Sequence, residues 1–233
     1  MFKFSVVIPC FNSSNEIRRT LDSVFSQTFT DFEVIIIDDC SNDIEKLSVV
    51  IDEYQSKYGN IKTFYSKVKL NGSGARNKGV EISSGEYIAL LDSDDEWKHN
   101  KLLKYAKEIE HNKYKKIIYY SKLEILENSN LIKKMPLRSY DSNKESMASY
   151  IFGVAGFIQT STIVLRKEDY QNIKFNDQFI RHQDYDFCIR ADKLGYDFYF
   201  IPEELTIYNM QGRSNSKRKG ESTIYSHWWL NSM

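Results

Sequence analysis

Apolar residues follow two rhythms along the first half of the chain. FSVVIP (4–9), FEVIIID (32–38) and YIALL (87–91) are near-continuous runs, with TFYSKV (63–68) a weaker one. Between them the spacing is helical: Ile17, Leu21, Val24 and Phe25 within 13–26, then Leu47, Val50, Ile51 and Tyr54 within 43–57. A short helix is expected after Gly74. Continuous apolar strands alternating with amphipathic helices predict a parallel sheet covered on both faces.

The second half is less regular. Leu102, Tyr105, Ala106 and Ile109 predict a helix over 98–111, followed by a strand near 117–121 and a hairpin through 122–134. A helix over 182–194 and a strand over 197–201 close the pattern. Pro136 and the polar SYDSNKES (139–146) mark an internal loop. The organisation read from this is one domain in two halves, 1–97 and 98–205, with a basic tail over 206–233 expected to be mobile. Met147–Leu165 carries no charge over a length that spans a bilayer. Ser149, Gln159, Thr160, Ser161 and Thr162 would be stranded in lipid, so the segment is read as a buried helix followed by a buried strand.

Composition narrows the function classes. The 32 basic and 32 acidic residues cancel, which speaks against a nucleic-acid partner. Cys10, Cys40 and Cys188 are far apart and odd in number, so neither a disulfide framework nor a zinc site is expected, and a reducing cytoplasm is. MFKFSVVIPCFN reads as a first strand, not a leader. The 16 Tyr and 14 Phe suit sugar pockets, but equally a Tyr-rich core.

Ligands in open α/β sheets bind beyond the carboxyl ends of the strands. Strand one ends there in Pro9-Cys10-Phe11-Asn12, strand two in Asp38-Asp39-Cys40-Ser41 and the fourth in Asp92-Ser93-Asp94-Asp95. Asp38-Asp39 alone would serve as a helix cap. The second cluster exceeds what a cap needs and suits a hard divalent cation such as Mg2+ or Mn2+. An EF-hand is excluded, because counting from Asp92 the glycine falls on Trp97 and the glutamate on Leu103. NGSGARNKG (71–79) matches neither phosphate-loop pattern, yet Gly74 and Arg76 at a helix start suit an anion. In IRHQDYDFCIRADKLG (180–195), Asp184, Phe187, Cys188 and Ala191 share a helical face, making Asp184 a candidate general base or a simple cap. Asp186 with Arg190 reads as a surface ion pair.

Together SVVIPCFN, VIIIDDCSND, GARNKG, LLDSDDEW and HQDYDFCIR resemble the family 2 glycosyltransferases, in the family order and over roughly residues 4–205. The resemblance implies a GT-A fold: a Rossmann-like, mostly parallel sheet flanked by helices, with a less regular acceptor-binding second half. It implies that Pro9 and Phe11 line the base pocket and Asp39 accepts from the uracil ring N–H. Arg76 would lie near the diphosphate, Asp92 would face the ribose and donor sugar, and Asp94 with Asp95 would hold Mn2+ or Mg2+. Asp184 would be the base of an inverting transfer from a UDP-sugar to a saccharide acceptor, lipid-linked, with possible peripheral contact at the membrane. Gln183 departs from the Glu-Asp pair common in the family. A non-catalytic nucleotide-sugar-binding homologue and a nucleotidyltransferase are the other readings. The basic residues Arg213, Lys217, Arg218 and Lys219 and the pair Trp228-Trp229 leave tail contacts with the diphosphate, lipid or acceptor open.

Overall fold

The computed structural model describes residues 2–112, 116–210 and Trp229. The first three apolar runs become β1 (Phe4–Cys10), β2 (Phe32–Asp38) and β3 (Ile61–Tyr65), and the fourth becomes β4 (Tyr87–Leu90). β1 lies parallel to both β2 and β4, and β2 is parallel to β3. Every residue of β2 is buried, as a strand covered on both faces requires.

Two helical layers do the covering. On one face α1 (Ile17–Phe25), α2 (Ile44–Lys57) and α4 (Lys101–His111) pack their apolar sides against Phe4, Val6, Ile8, Val34 and Ile36. On the other, α3 (Asn71–Ile82), α5 (Met147–Phe152), α6 (Lys167–Ile173) and α7 (Gln183–Lys193) cover Val7, Ile35, Ile37, Ile88 and Leu90. Alternate residues of β1 thus belong to opposite cores, the period of an extended chain.

The second half extends the same sheet. β5 (Glu96–Trp97), β6 (Ile117–Glu127), β7 (Asn130–Met135), β8 (Val164–Arg166) and β9 (Asp197–Asn209) complete nine strands among the described residues, ordered β3-β2-β1-β4-β8-β6-β9-β5 with β7 on β6. β8 runs antiparallel to β4 and β6, so the sheet is parallel only in its first half and mixed beyond.

Several boundaries differ from the sequence reading. The expected hairpin is β6–β7, but β6 runs on to Glu127 and β9 to Asn209, so residues 206–209 belong to the sheet and not to a tail. Thr206 and Asn209 are buried polar residues, which hides a strand from an apolar pattern. The short β5 and α6 were not expected. The uncharged stretch becomes α5, a loop, a 3-10 turn at Thr160–Thr162 and β8, and among the described residues no helix is long and apolar enough to cross a membrane. The Tyr-rich core is real: Tyr105, Tyr120, Tyr150 and Tyr170 are all enclosed. The stretch 211–222 and Trp228 lie outside the described residues.

Candidate active site

Because β1, β2 and β4 are parallel, their carboxyl ends bring Phe11, Asp39 and Asp92 to one edge. The loops there are laced together. The Asn12 N–H donates to Ser41 Oγ at 2.9 Å, the Asn42 N–H donates to Asn12 Oδ1 at 2.8 Å, and the Ser13 and Ser93 hydroxyls meet at 2.8 Å. Asn12, Cys40, Asn71 and His182 all adopt positive φ, between 52° and 58°. Left-handed backbone at non-glycine residues is strained and concentrates where a site over-determines it.

The expected base pocket has an occupant that the sequence did not announce. Phe11 is half-exposed and Asp39 is buried. Asp39 Oδ1 accepts from the Leu70 N–H and Oδ2 pairs with Lys69 Nζ at 2.8 Å, while the same ammonium lies over the Phe11 ring. Lys69 therefore stands between the ring expected to stack on uracil and the carboxylate expected to read it. Pro9 sits beside them in β1, opposite Ile37.

The aspartate loop divides by burial. Asp92, partly exposed, pairs with Arg76 and accepts from Gln159 Nε2 at 3.2 Å; the other arm of the Arg76 guanidinium donates to Gln183 Oε1 at 2.8 Å. Asp95 is fully buried and committed inward: it accepts from Gln159 Nε2 at 2.9 Å, Ser161 Oγ at 2.7 Å and the Asn209 N–H at 3.1 Å. Its expected metal role is corrected accordingly, since its oxygens fix the loop onto the second half of the sheet. Asp94 keeps solvent access. Trp97 packs beside the loop as expected, donating through Nε1 to the Ser161 carbonyl at 2.9 Å. Gln159 and Ser161 were missed as site residues. Their signal in the sequence is polarity inside an otherwise apolar run, the same feature that argues against a membrane span.

Gly74 does not reach the site. α3 begins at Asn71, earlier than predicted, so Gly72 and Arg76 share the inner face. Gly74 turns outward with Tyr65, Asn77 and Lys78 along a cleft of about 960 Å³. Gly72 is the glycine that matters: a Cβ there would come within 2.9 Å of both Arg76 Nη1 and Gln183 Oε1. Asn77, next to Arg76, donates to the Phe175 carbonyl at 2.9 Å and accepts from the Tyr170 hydroxyl at 2.8 Å and the Phe175 N–H at 3.1 Å.

Asp184 lies in the first turn of α7, facing this cluster. Burial, reinforced by the nearby Asp92 carboxylate, pushes its carboxyl up to about 6, against the pull of Arg76. Asp186 is not on the surface. It is 2% exposed, and Arg190 covers it at 2.7 Å while also donating to the Ile173 and Lys174 carbonyls. The buried arc of α7 is wider than one face because α6 packs on its second side. Trp229 is buried against Phe152, Phe179 and His182.

Among the described residues no three His, Cys, Asp or Glu side chains converge on a metal position. The donor set fits a hard divalent ion held by one or two carboxylates, with the substrate diphosphate and water completing its shell. Of the loop carboxylates, Asp92 and Asp94 are the two that keep solvent access.

The family model described as Glycosyl transferase family 2 matches residues 5–173. The amylovoran biosynthesis glycosyltransferase AmsB of Erwinia amylovora is 46% identical over 233 residues, covering 99% of this chain and 77% of that protein. The structure of S. aureus TarS 1–349 in complex with UDP superposes with a TM-score of 0.73 at 21% identity, over 89% of this chain and 60% of that one. The complex of the same TarS fragment with UDP-GlcNAc gives 0.71 at 21% identity, over 89% and 58%. The chain thus spans about three fifths of these two solved structures, and it shares their GT-A fold.

Proposed function

The chain belongs to glycosyl transferase family 2, and from that premise we propose that it moves a hexose or N-acetylhexosamine from a UDP-sugar to a hydroxyl of a lipid-linked saccharide, with inversion, in assembly of a bacterial surface polysaccharide. The AmsB relative, named for amylovoran biosynthesis, supports the product class, and the UDP and UDP-GlcNAc complexes of TarS support the donor class. The observation that carries the reading is Asp184, a carboxyl raised to about 6 beside the Arg76–Asp92 pair.

A carboxylate poised near the operating pH accepts a proton from an attacking alcohol. Asp184 takes the acceptor hydroxyl proton, the acceptor oxygen bonds to the anomeric carbon, and the bond from that carbon to the diphosphate oxygen breaks with release of UDP. Phe11 and Asp39 hold the base once Lys69 has swung aside, Asp92 faces the ribose and sugar, and Arg76 offsets charge on the departing diphosphate. Asp94 would hold Mn2+ or Mg2+, which when bound neutralises diphosphate charge. In this reading the reaction runs at the cytoplasmic face of the membrane, where a lipid-linked acceptor would be met.

The test is a thermal-shift and UDP-release screen of UDP-, GDP- and dTDP-sugars with Mn2+, using the wild type and Asp184→Asn. Stabilisation by a UDP-sugar in both proteins, with turnover only in the wild type, is expected. No stabilisation by any donor overturns the reading.

A further inference from the structure

Beside the base helix the surface is strongly apolar. Leu137, Phe152 and Val154 are 57%, 53% and 86% exposed. The Leu137 N–H donates to the Ala155 carbonyl at 2.8 Å, which holds the two loops side by side. Phe152 lies edge-on to Tyr185, the residue after Asp184, with ring centroids 5.5 Å apart. The patch therefore reaches the turn of α7 that carries Asp184.

The same stretch carries more of this chemistry upstream. β7 is exposed from Asn130 to Lys134 and buries only Met135, so Leu131 and Ile132 stand open to solvent. Lys133, Lys134 and Arg138 are interleaved with them, and residues 129–138, SNLIKKMPLR, contain no acid. Lys134 leans toward Glu124 and Glu204, and Arg138 pairs with Glu145, yet both side chains remain nearly half-exposed. Single exposed apolar residues need no explanation, but Leu137, Phe152 and Val154 on two loops held together mark an interaction surface, which Leu131 and Ile132 prolong along the exposed strand β7.

What covers it is indicated by the mixture. Large apolar side chains enter the acyl boundary while long cations reach headgroup phosphates, and neither signal alone binds firmly. Lys134 and Arg138 keep about half of their side chains exposed despite their acid partners, and Lys133 stands exposed beside Ile132, so the surface offers cationic heads next to apolar side chains.

We propose that Leu131–Arg138, together with Phe152 and Val154, is a docking surface for an anionic lipid bilayer, set so that the mouth beside Asp184 opens toward the headgroups. The inference rests on the proposed lipid-linked acceptor for its purpose, but binding to a bilayer needs no acceptor and is measured without one.

The test is flotation of the full chain with phosphatidylglycerol/phosphatidylethanolamine vesicles and with pure phosphatidylcholine vesicles. The wild type is compared with a Leu137→Asp/Val154→Asp double variant. Both side chains point into solvent, so thermal melts and UDP affinity are expected to match the wild type. The wild type is expected to float with the anionic vesicles, less so at high salt, and the double variant to lose at least tenfold of that binding. A wild type that stays in solution, or a double variant that floats equally well, overturns the proposal. So does a dimer in light scattering that the double variant dissociates, since that assigns the surface to a second copy. Vesicle binding with no turnover of any donor would count against the proposed reaction and leave the docking surface standing.

Discussion

Arg76 and Gln183, 107 positions apart in the chain, meet at 2.8 Å, and the second arm of the same guanidinium holds Asp92. A neutral side chain at 183 leaves the arginine's charge to Asp92 and the site. Gln183→Glu adds a carboxylate beside Asp184 and competes with Asp92 for Arg76. Like charge raises a carboxyl further, so the acid limb of the kcat–pH profile should move to higher pH. An unmoved limb would show that residue 183 is electrically remote from the base.

The raised Asp184 sets the direction of the wild-type profile. In the proposed role the base works as the carboxylate, so turnover should fall as pH drops through about 6. Asp184→Asn should remove that limb and lower kcat by about 10²- to 10⁴-fold, with UDP affinity retained. Steady-state UDP release from pH 5 to 8, with calorimetric UDP binding, checks both.

Phe11→Ala removes the face on which the base is expected to stack. Base–aromatic stacking contributes about 1–3 kcal/mol, so UDP should bind about 5- to 150-fold more weakly. Calorimetric titration reads this directly, and an unchanged Kd would place the base elsewhere.

Asp94 and Asp95 should separate cleanly. Asp95→Asn weakens bonds to Gln159, Ser161 and Asn209 inside the protein. It should cost about 1–3 kcal/mol of stability. Asp94→Asn should lower the melting temperature less than Asp95→Asn does and abolish the dependence of UDP binding on Mn2+. Thermal melts with and without UDP and Mn2+ distinguish the two. Equal loss of stability would refute the division.

Lys101 is fully buried, with its amine on the Tyr105 hydroxyl at 3.3 Å and Thr206 Oγ1 at 3.1 Å. Both hydroxyls donate elsewhere, to the Thr162 and Ser161 carbonyls. Burial holds the ammonium pKa well below 10.5. The folded state thus disfavours the proton, a cost that is full below the folded pKa and fades as pH rises toward 10.5. Lys101→Met should therefore stabilise by about 1–3 kcal/mol near neutral pH, a gain of several degrees in Tm. The gain should shrink in alkaline buffer; one that grew with pH would reverse the sign.

The parallel half of the sheet was legible because its strands are apolar throughout, and the helices between them keep one period. Asp92 and Asp184 stood out because charge at a strand end or on an apolar helix face is costly without a purpose. Asp95 was misread because sequence cannot tell an acid that faces a ligand from one that faces Gln159 and Ser161, 64 and 66 residues away. Lys69 escaped for a related reason: one lysine among three in SKVKLNGSGARNKG carries no mark until β2 and α3 bring Asp39 beneath it. Asp186 failed in the opposite direction, because its helix is covered on two sides and an i, i+4 pair reads as surface in isolation.

Arg76 and Asn77 are neighbours in α3, and each grips one end of the segment joining α6 to α7, at Gln183 and at Phe175. Two adjacent residues thus rivet one helix to both ends of a strap. Gln183 directly precedes Asp184, so the turn that bears Asp184 is tied to α3 through one hydrogen bond. The α6–α7 strap and the loop that carries Lys69 are thus both fastened to the start of α3, one through side chains and the other through the chain itself.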